Sequence, residues 1–197
     1  MYLTIDIEGD GLNREYNKQV FPEGNHFDPD TRIWACTICS EKDSRTIVCK
    51  LPPVPRRLPM PYYKGGYANW QTNSYHDEAT VIPEEYEGYD SVKYKEFLER
   101  IHGLLKQAND KGIPVYFKGY GTYEYDKDVL RVNFQKWNLS TDVLDCMKIA
   151  NPSEWVETHK QTSAGCWVSN QAYMKDGIMH NIEDARQLYG LINSIDS

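Results

Sequence analysis

Three clusters of acidic and imidazole side chains have the types and spacing for hydrolytic chemistry. Asp6-Ile7-Glu8 stands close to the start of the chain in MYLTIDIEGDG. Residues two apart on a strand project from one face, so these carboxylates can converge on one metal ion or on two adjacent ones. Burying such a pair without a cation costs several kcal/mol or forces protonation, because like charges repel at short range. A hard divalent cation removes the difficulty, and Mg²⁺ and Mn²⁺ prefer oxygen ligands. Acidic pairs also end strands as solvated turn residues, so Asp6 and Glu8 gain meaning only in company.

The second cluster is Tyr125-Asp126 in KGYGTYEYDKDVL, where Asp126 would point from the start of a helix toward the strand ends. An acid in a first turn also favours a helix by itself, through the macrodipole. The third is His180-Asn181-Ile182-Glu183-Asp184-Ala185. Asn181 reads as an N-cap, with Asp184 answering it as the acid of a capping box does. His180 adds a side chain whose unperturbed pKa of about 6.5 suits it to take a proton from water at neutral pH.

These side chains need elements to hold them. Residues 2–8 alternate as a strand that ends at the Gly9 and Gly11 turn signals. TRIWACTICS and RTIVCKL, separated by EKDS, form the pattern of a hairpin. Ser91 to Ala108 has Tyr94, Phe97, Leu98, Ile101, Leu104, Leu105 and Ala108 at helical spacing, with Gly112 as a stop. The strand IPVYFKGY follows. Further helices are expected at about 124–134, at Thr141 to Ala150 and at Asn181 to Ile195. An antiparallel start followed by a helix feeding a strand implies an α/β fold, a mixed sheet flanked by helices.

The whole chain of 197 residues suits a single domain, residues 1–197. Its apolar share of 40% and mean hydropathy of −0.68 read as soluble. No apolar run approaches the roughly 18 residues that span a bilayer, and acids stand where a signal peptide needs a basic and then an apolar region. Five scattered cysteines suit reduced thiols. A cytoplasmic protein without a membrane partner is the expectation, its oligomeric state open.

A net charge of −7 argues against holding nucleic acid by bulk positive charge. The distribution says more. No acid occurs between Asp43 and Asp77, while Arg45, Lys50, Arg56, Arg57 and Lys64 give that stretch a formal +5. Tyr62, Tyr63, Tyr67, Trp70 and Tyr75 are interleaved there. Rings that stack bases beside cations that meet phosphates suit a single strand, with Arg56, Arg57, Lys64, Tyr62, Tyr63 and Trp70 as the contacts. A Pro-rich loop whose aromatics cover the domain's own core is the competing reading of this insertion at about 51–88.

In this order, DIEGDG, a glycine-containing turn leading to YD and an apolar pair, and HNIEDA resemble the DnaQ-like 3'-5' exonucleases, the DEDD group of the RNase H-like superfamily. DVLDCMKIA looks like the family's helix after the second motif, with Asp145 and Cys146 at its start. The resemblance implies an RNase H-like mixed β-sheet flanked by α-helices. It also implies a two-metal hydrolysis of the terminal phosphodiester bond at the 3' end of single-stranded DNA or RNA. Asp6, Glu8, Asp126 and Asp184 would hold two Mg²⁺ or Mn²⁺ ions, and His180 would be the general base of a DEDDh-type site. One feature departs from the family. Members with a catalytic His usually place four residues between it and the last Asp, whereas three intervene here, the spacing of the branch that uses Tyr. An RNase H-like endonuclease and an inactive nucleic-acid-binding module are the alternatives.

Competing motifs are weaker. Cys36-x-x-Cys39 is half of a zinc site, but it lies in an apolar run with Trp34 and Ile38, which favours core packing. His159 and Cys166 have no better claim as ligands, and His76-Asp77-Glu78 reads as an exposed charge run. No Walker loop occurs, and GYG near Tyr120 lacks the dinucleotide pattern.

Overall fold

A computed structural model describes residues 1–9, 32–49, 90–119, 121–156 and 170–196. β1 (Leu3–Gly9), β2 (Ile33–Cys39) and β3 (Ser44–Cys49) form the antiparallel start, and β4 (Asp90–Val92) is a short parallel neighbour of β3. Helix α1 (Tyr94–Asp110) leads to β5 (Val115–Lys118), which pairs parallel to β1. Then come α2 (Tyr125–Lys136), a 3₁₀ turn (Asp142–Cys146), β6 (Met147–Ala150) parallel to β5, and α3 (Asn170–Asp196). The described strands form one mixed sheet of order β4-β3-β2-β1-β5-β6, so β1 lies inside it. The fold is α/β.

Apolar spacing explains these elements. Phe97, Leu98, Ile101, Leu105 and Ala108 of α1 are buried, as an i, i+3, i+4 stripe requires. Gly112 then takes a positive φ of 66°, and the Ile113 N–H closes onto Ala108 O at 2.9 Å, turning the chain into β5. Ile5, Trp34, Phe97, Phe117, Leu130 and Phe134 belong to one buried cluster between sheet and helices.

The polar face of β1 is laid along α3. The Tyr2 hydroxyl donates to Tyr189 O at 3.0 Å and the Thr4 hydroxyl to Ala185 O at 2.7 Å. The Asn181 amide donates to Asp6 at 2.8 and 2.9 Å. Steps of two along the strand, about 6.6 Å, match steps of four along the helix, about 6 Å. This ladder sets the register of α3 against β1, and the two run antiparallel.

Two expected elements differ. Residues 141–150 are a 3₁₀ turn and β6 rather than a helix. The apolar spacing of Val143, Leu144 and Met147 satisfies a helix locally, but pairing with β5 satisfies the backbone of Met147–Ala150 instead. The last helix begins at Asn170, eleven residues before Asn181, so Asn181 lies inside a helix and is not its N-cap. Ser91 falls in β4, ahead of α1. The 51–88 insertion lies outside the described residues. No helix among the described residues is long and apolar enough to cross a membrane.

Candidate metal centre

Asp6, Glu8, Asp126, His180 and Asp184 come together at the carboxyl end of β1. Asp6 and Glu8 share the strand face that carries Thr4, the face bonded to α3. Asp126 is in the first turn of α2 and 7% exposed. His180 and Asp184, one turn apart on α3, are 8% and 4% exposed. The His180 Nε2 lies 2.9 Å from Asp184 Oδ2 and 3.9 Å from Glu8 Oε1, so the helix residues lean on the strand's second acid.

Electrostatics show how closely the acids face one another. The Asp6 carboxyl is held well above the usual carboxylate range by burial, then by the charges of Glu8, Asp126 and Asp184, with His180 opposing. Asp126 is pushed up to about 8 by burial, against a hydrogen bond from the Ile7 backbone, with Asp184 raising it further. Its Oδ2 is buried and finds no hydrogen-bond partner among the described residues. Leaving such an oxygen unsatisfied costs about 1–3 kcal/mol, more when it is charged. A proton or a cation answers it equally. Asp6 and Asp126 are thus disfavoured as buried charges unless positive charge stands close to them.

The donor set therefore fits hard divalent cations: every acid offers oxygen, and one buried oxygen is unspoken for. It is not a closed cage. Among the described residues no three His, Cys, Asp or Glu side chains are gathered into a ready coordination shell. Cys36 and Cys39 do not compete. Three apart on β2, they project to opposite faces, and both are buried free thiols. Burial raises the Cys36 thiol well above its usual value, helped by Asp6 and Asp126, and pushes Cys39 up to about 11.

Arg56, Arg57, Tyr62, Tyr63, Lys64 and Trp70 lie outside the described residues, as do His76, Asp77, Glu78, His159 and Cys166. The structure adds side chains that the motifs did not mark. Thr37, fully buried in β2, donates to Asn181 Oδ1 at 2.6 Å. A lone hydroxyl amid IWACTIC was the available signal, since buried polar groups need partners. Lys118 at the end of β5 has its Nζ 5.5 Å from the ring centroid of half-buried Trp155. Thr4 pairs with Tyr116, so continued alternation puts Lys118 on the sheet face of Asp6, one strand over. No protein-family model matches the chain, and a search of curated proteins finds no significant match.

Proposed function

We propose that this protein is a metal-dependent nuclease, a 3'-5' exonuclease hydrolysing terminal phosphodiester bonds of single-stranded DNA or RNA. The observation that carries the reading is the convergence of Asp6, Glu8, Asp126, His180 and Asp184 from three distant parts of the chain into one partly buried cluster. The order of elements and the mixed sheet are compatible with an RNase H-like fold. Asp6, Glu8, Asp126 and Asp184 would hold two Mg²⁺ or Mn²⁺ ions. When bound, such a pair supplies positive charge against the scissile phosphate and lowers the pKa of water.

The chain's own groups divide the remaining work. In the geometry observed, the His180 Nε2 faces Asp184, so that nitrogen carries the proton shared with the carboxylate. His180 can take a proton from water at Nε2 only after turning away from Asp184. In the observed geometry the same nitrogen also lies 3.9 Å from Glu8 Oε1. Lys118 and Trp155 set a cation against a ring at the end of β5, the strand next to β1, a combination that suits the phosphate and base of a single strand. The basic and aromatic stretch at 51–88 would extend that grip; its part rests on composition.

The test is incubation of the full chain with end-labelled single-stranded DNA and RNA in Mg²⁺ or Mn²⁺, with and without EDTA. Stepwise shortening from the 3' end, abolished by EDTA and by Asp6→Ala or Asp184→Ala, is the expected result. Cleavage of a 3'-blocked oligomer would assign an endonuclease instead. Binding without cleavage would assign an inactive module.

A further inference from the structure

We infer that Asn181 is a positioning residue that presents the Asp6 carboxylate to divalent cations, through a directional hydrogen-bonded row reaching across the sheet to Thr46. The inference rests on the metal-dependent reading above. Strand register creates the row: Asp6 stands opposite Thr37, and Thr37 opposite Thr46, on three adjacent strands. Direct antiparallel partners have Cβ atoms about 4.5–5.5 Å apart, near enough for hydroxyl contact. Thr37 Oγ1 lies 2.8 Å from Thr46 Oγ1 and 2.6 Å from Asn181 Oδ1. Asn181 is fully buried.

The direction of the bonds follows from counting hydrogens. The Asn181 amide nitrogen meets the Asp6 carbonyl at 2.8 Å and Asp6 Oδ2 at 2.9 Å, and both are acceptors. Reversing the amide would set its oxygen against two oxygens, so its two N–H groups face Asp6. Its Oδ1 must then receive the Thr37 hydroxyl proton, and Thr46, left with the only free proton of the pair, donates to Thr37. Every bond in the sequence Thr46, Thr37, Asn181, Asp6 donates toward the carboxylate. The amide fixes Oδ2 of Asp6 in place and ties the side chain to its own backbone carbonyl. The same contact anchors α3 next to His180. A carboxylate so held pays little ordering entropy when it takes a cation, and loss of comparable supporting hydrogen bonds typically weakens metal affinity about 10–100-fold.

The experiment is calorimetric titration of Mn²⁺ alone into the full chain, without nucleic acid, with circular dichroism to confirm folding. Asn181→Ala should weaken Mn²⁺ binding by about 10-fold or more. Thr37→Val, which keeps the side chain's shape but removes the proton given to Asn181, should weaken it in the same direction, and Thr37→Ser should restore it. Should Asn181→Ala fail to fold, the Thr37 pair decides alone. Folded variants whose Mn²⁺ affinity stays within about twofold of the parent overturn the inference and leave the proposed function standing. A parent protein that binds no Mn²⁺ overturns both.

Discussion

His180 and Asp184 are four residues apart on α3, and that separation puts them on one face in contact, Nε2 to Oδ2 at 2.9 Å. A separation of five would turn the imidazole about 100° around the helix, away from its carboxylate. The shorter spacing thus couples the proposed general base to a proposed metal ligand. His180→Gln should lower the cleavage rate by about 10²–10⁴-fold, the usual contribution of a general base, while leaving Mn²⁺ binding within a few-fold of the parent. A rate equal to the parent's across the neutral pH range would remove His180 from the chemistry. The three motifs that meet in the cluster were visible in the sequence, but each had a bland reading alone, and what grouped Asp6, Glu8, Asp126, His180 and Asp184 was the resemblance of their order to a known nuclease family. Asn181 was legible only as a cap. The local pattern Asn181…Asp184 is the same for a helix start and for a mid-helix clamp, and only the upstream turns of α3, with Asp6 and Thr37 alongside, decide between them.

At the scale of elements, the hairpin β2–β3 and helix α1 followed from period-two and period-3.6 patterns, each long enough to be unambiguous. β6 did not, because four residues are too few to show a period and the preceding 3₁₀ turn imitates helical spacing. Parallel pairing with β5 holds β6 in place, and beyond the ladder the Ile149 side chain lies over Gly119. Gly119 donates its N–H to Ala150 O at 2.9 Å, and a Cβ at Gly119 would lie 2.3 and 2.4 Å from Cγ1 and Cδ1 of Ile149. Gly119→Ala should therefore cost about 1–3 kcal/mol in urea unfolding, as overpacking does. Removing the obstruction with Ile149→Ala in the same chain should recover part of that loss, with a coupling of about 0.5–3 kcal/mol. Strictly additive effects would show that the two side-chain positions do not meet, and the β5–β6 approach would need another explanation.

For the whole molecule, the acid cluster ties stability to pH and, on the proposed metal-dependent reading, to cations as well. Asp6 and Asp126 both have folded-state pKa values above the roughly 3.9 of an unfolded aspartate, Asp126 reaching about 8. Between those limits the cation-free folded chain holds more protons than the unfolded chain, so these groups' contribution is complete below about pH 4 and is lost as the pH rises toward 8. The midpoint of thermal unfolding in EDTA should fall across that window. On the proposed metal-dependent reading, saturating Mn²⁺ would bind the ionised cluster and should raise the midpoint most at the alkaline end, opposing the fall. Other carboxylates with partners titrate in the opposite sense, so the comparison that isolates the cluster is Asp126→Asn. An amide mimics the protonated acid. It should flatten the pH dependence in EDTA and raise the midpoint near pH 8 by about 2–4 °C for each kcal/mol recovered. It should also diminish the Mn²⁺ response, since one oxygen ligand has lost its charge. A parent and an Asp126→Asn variant with superimposable pH profiles, or a Mn²⁺ shift that is equal in both, would mean that Asp126 neither carries the strain of the buried charges nor shares in holding the cation.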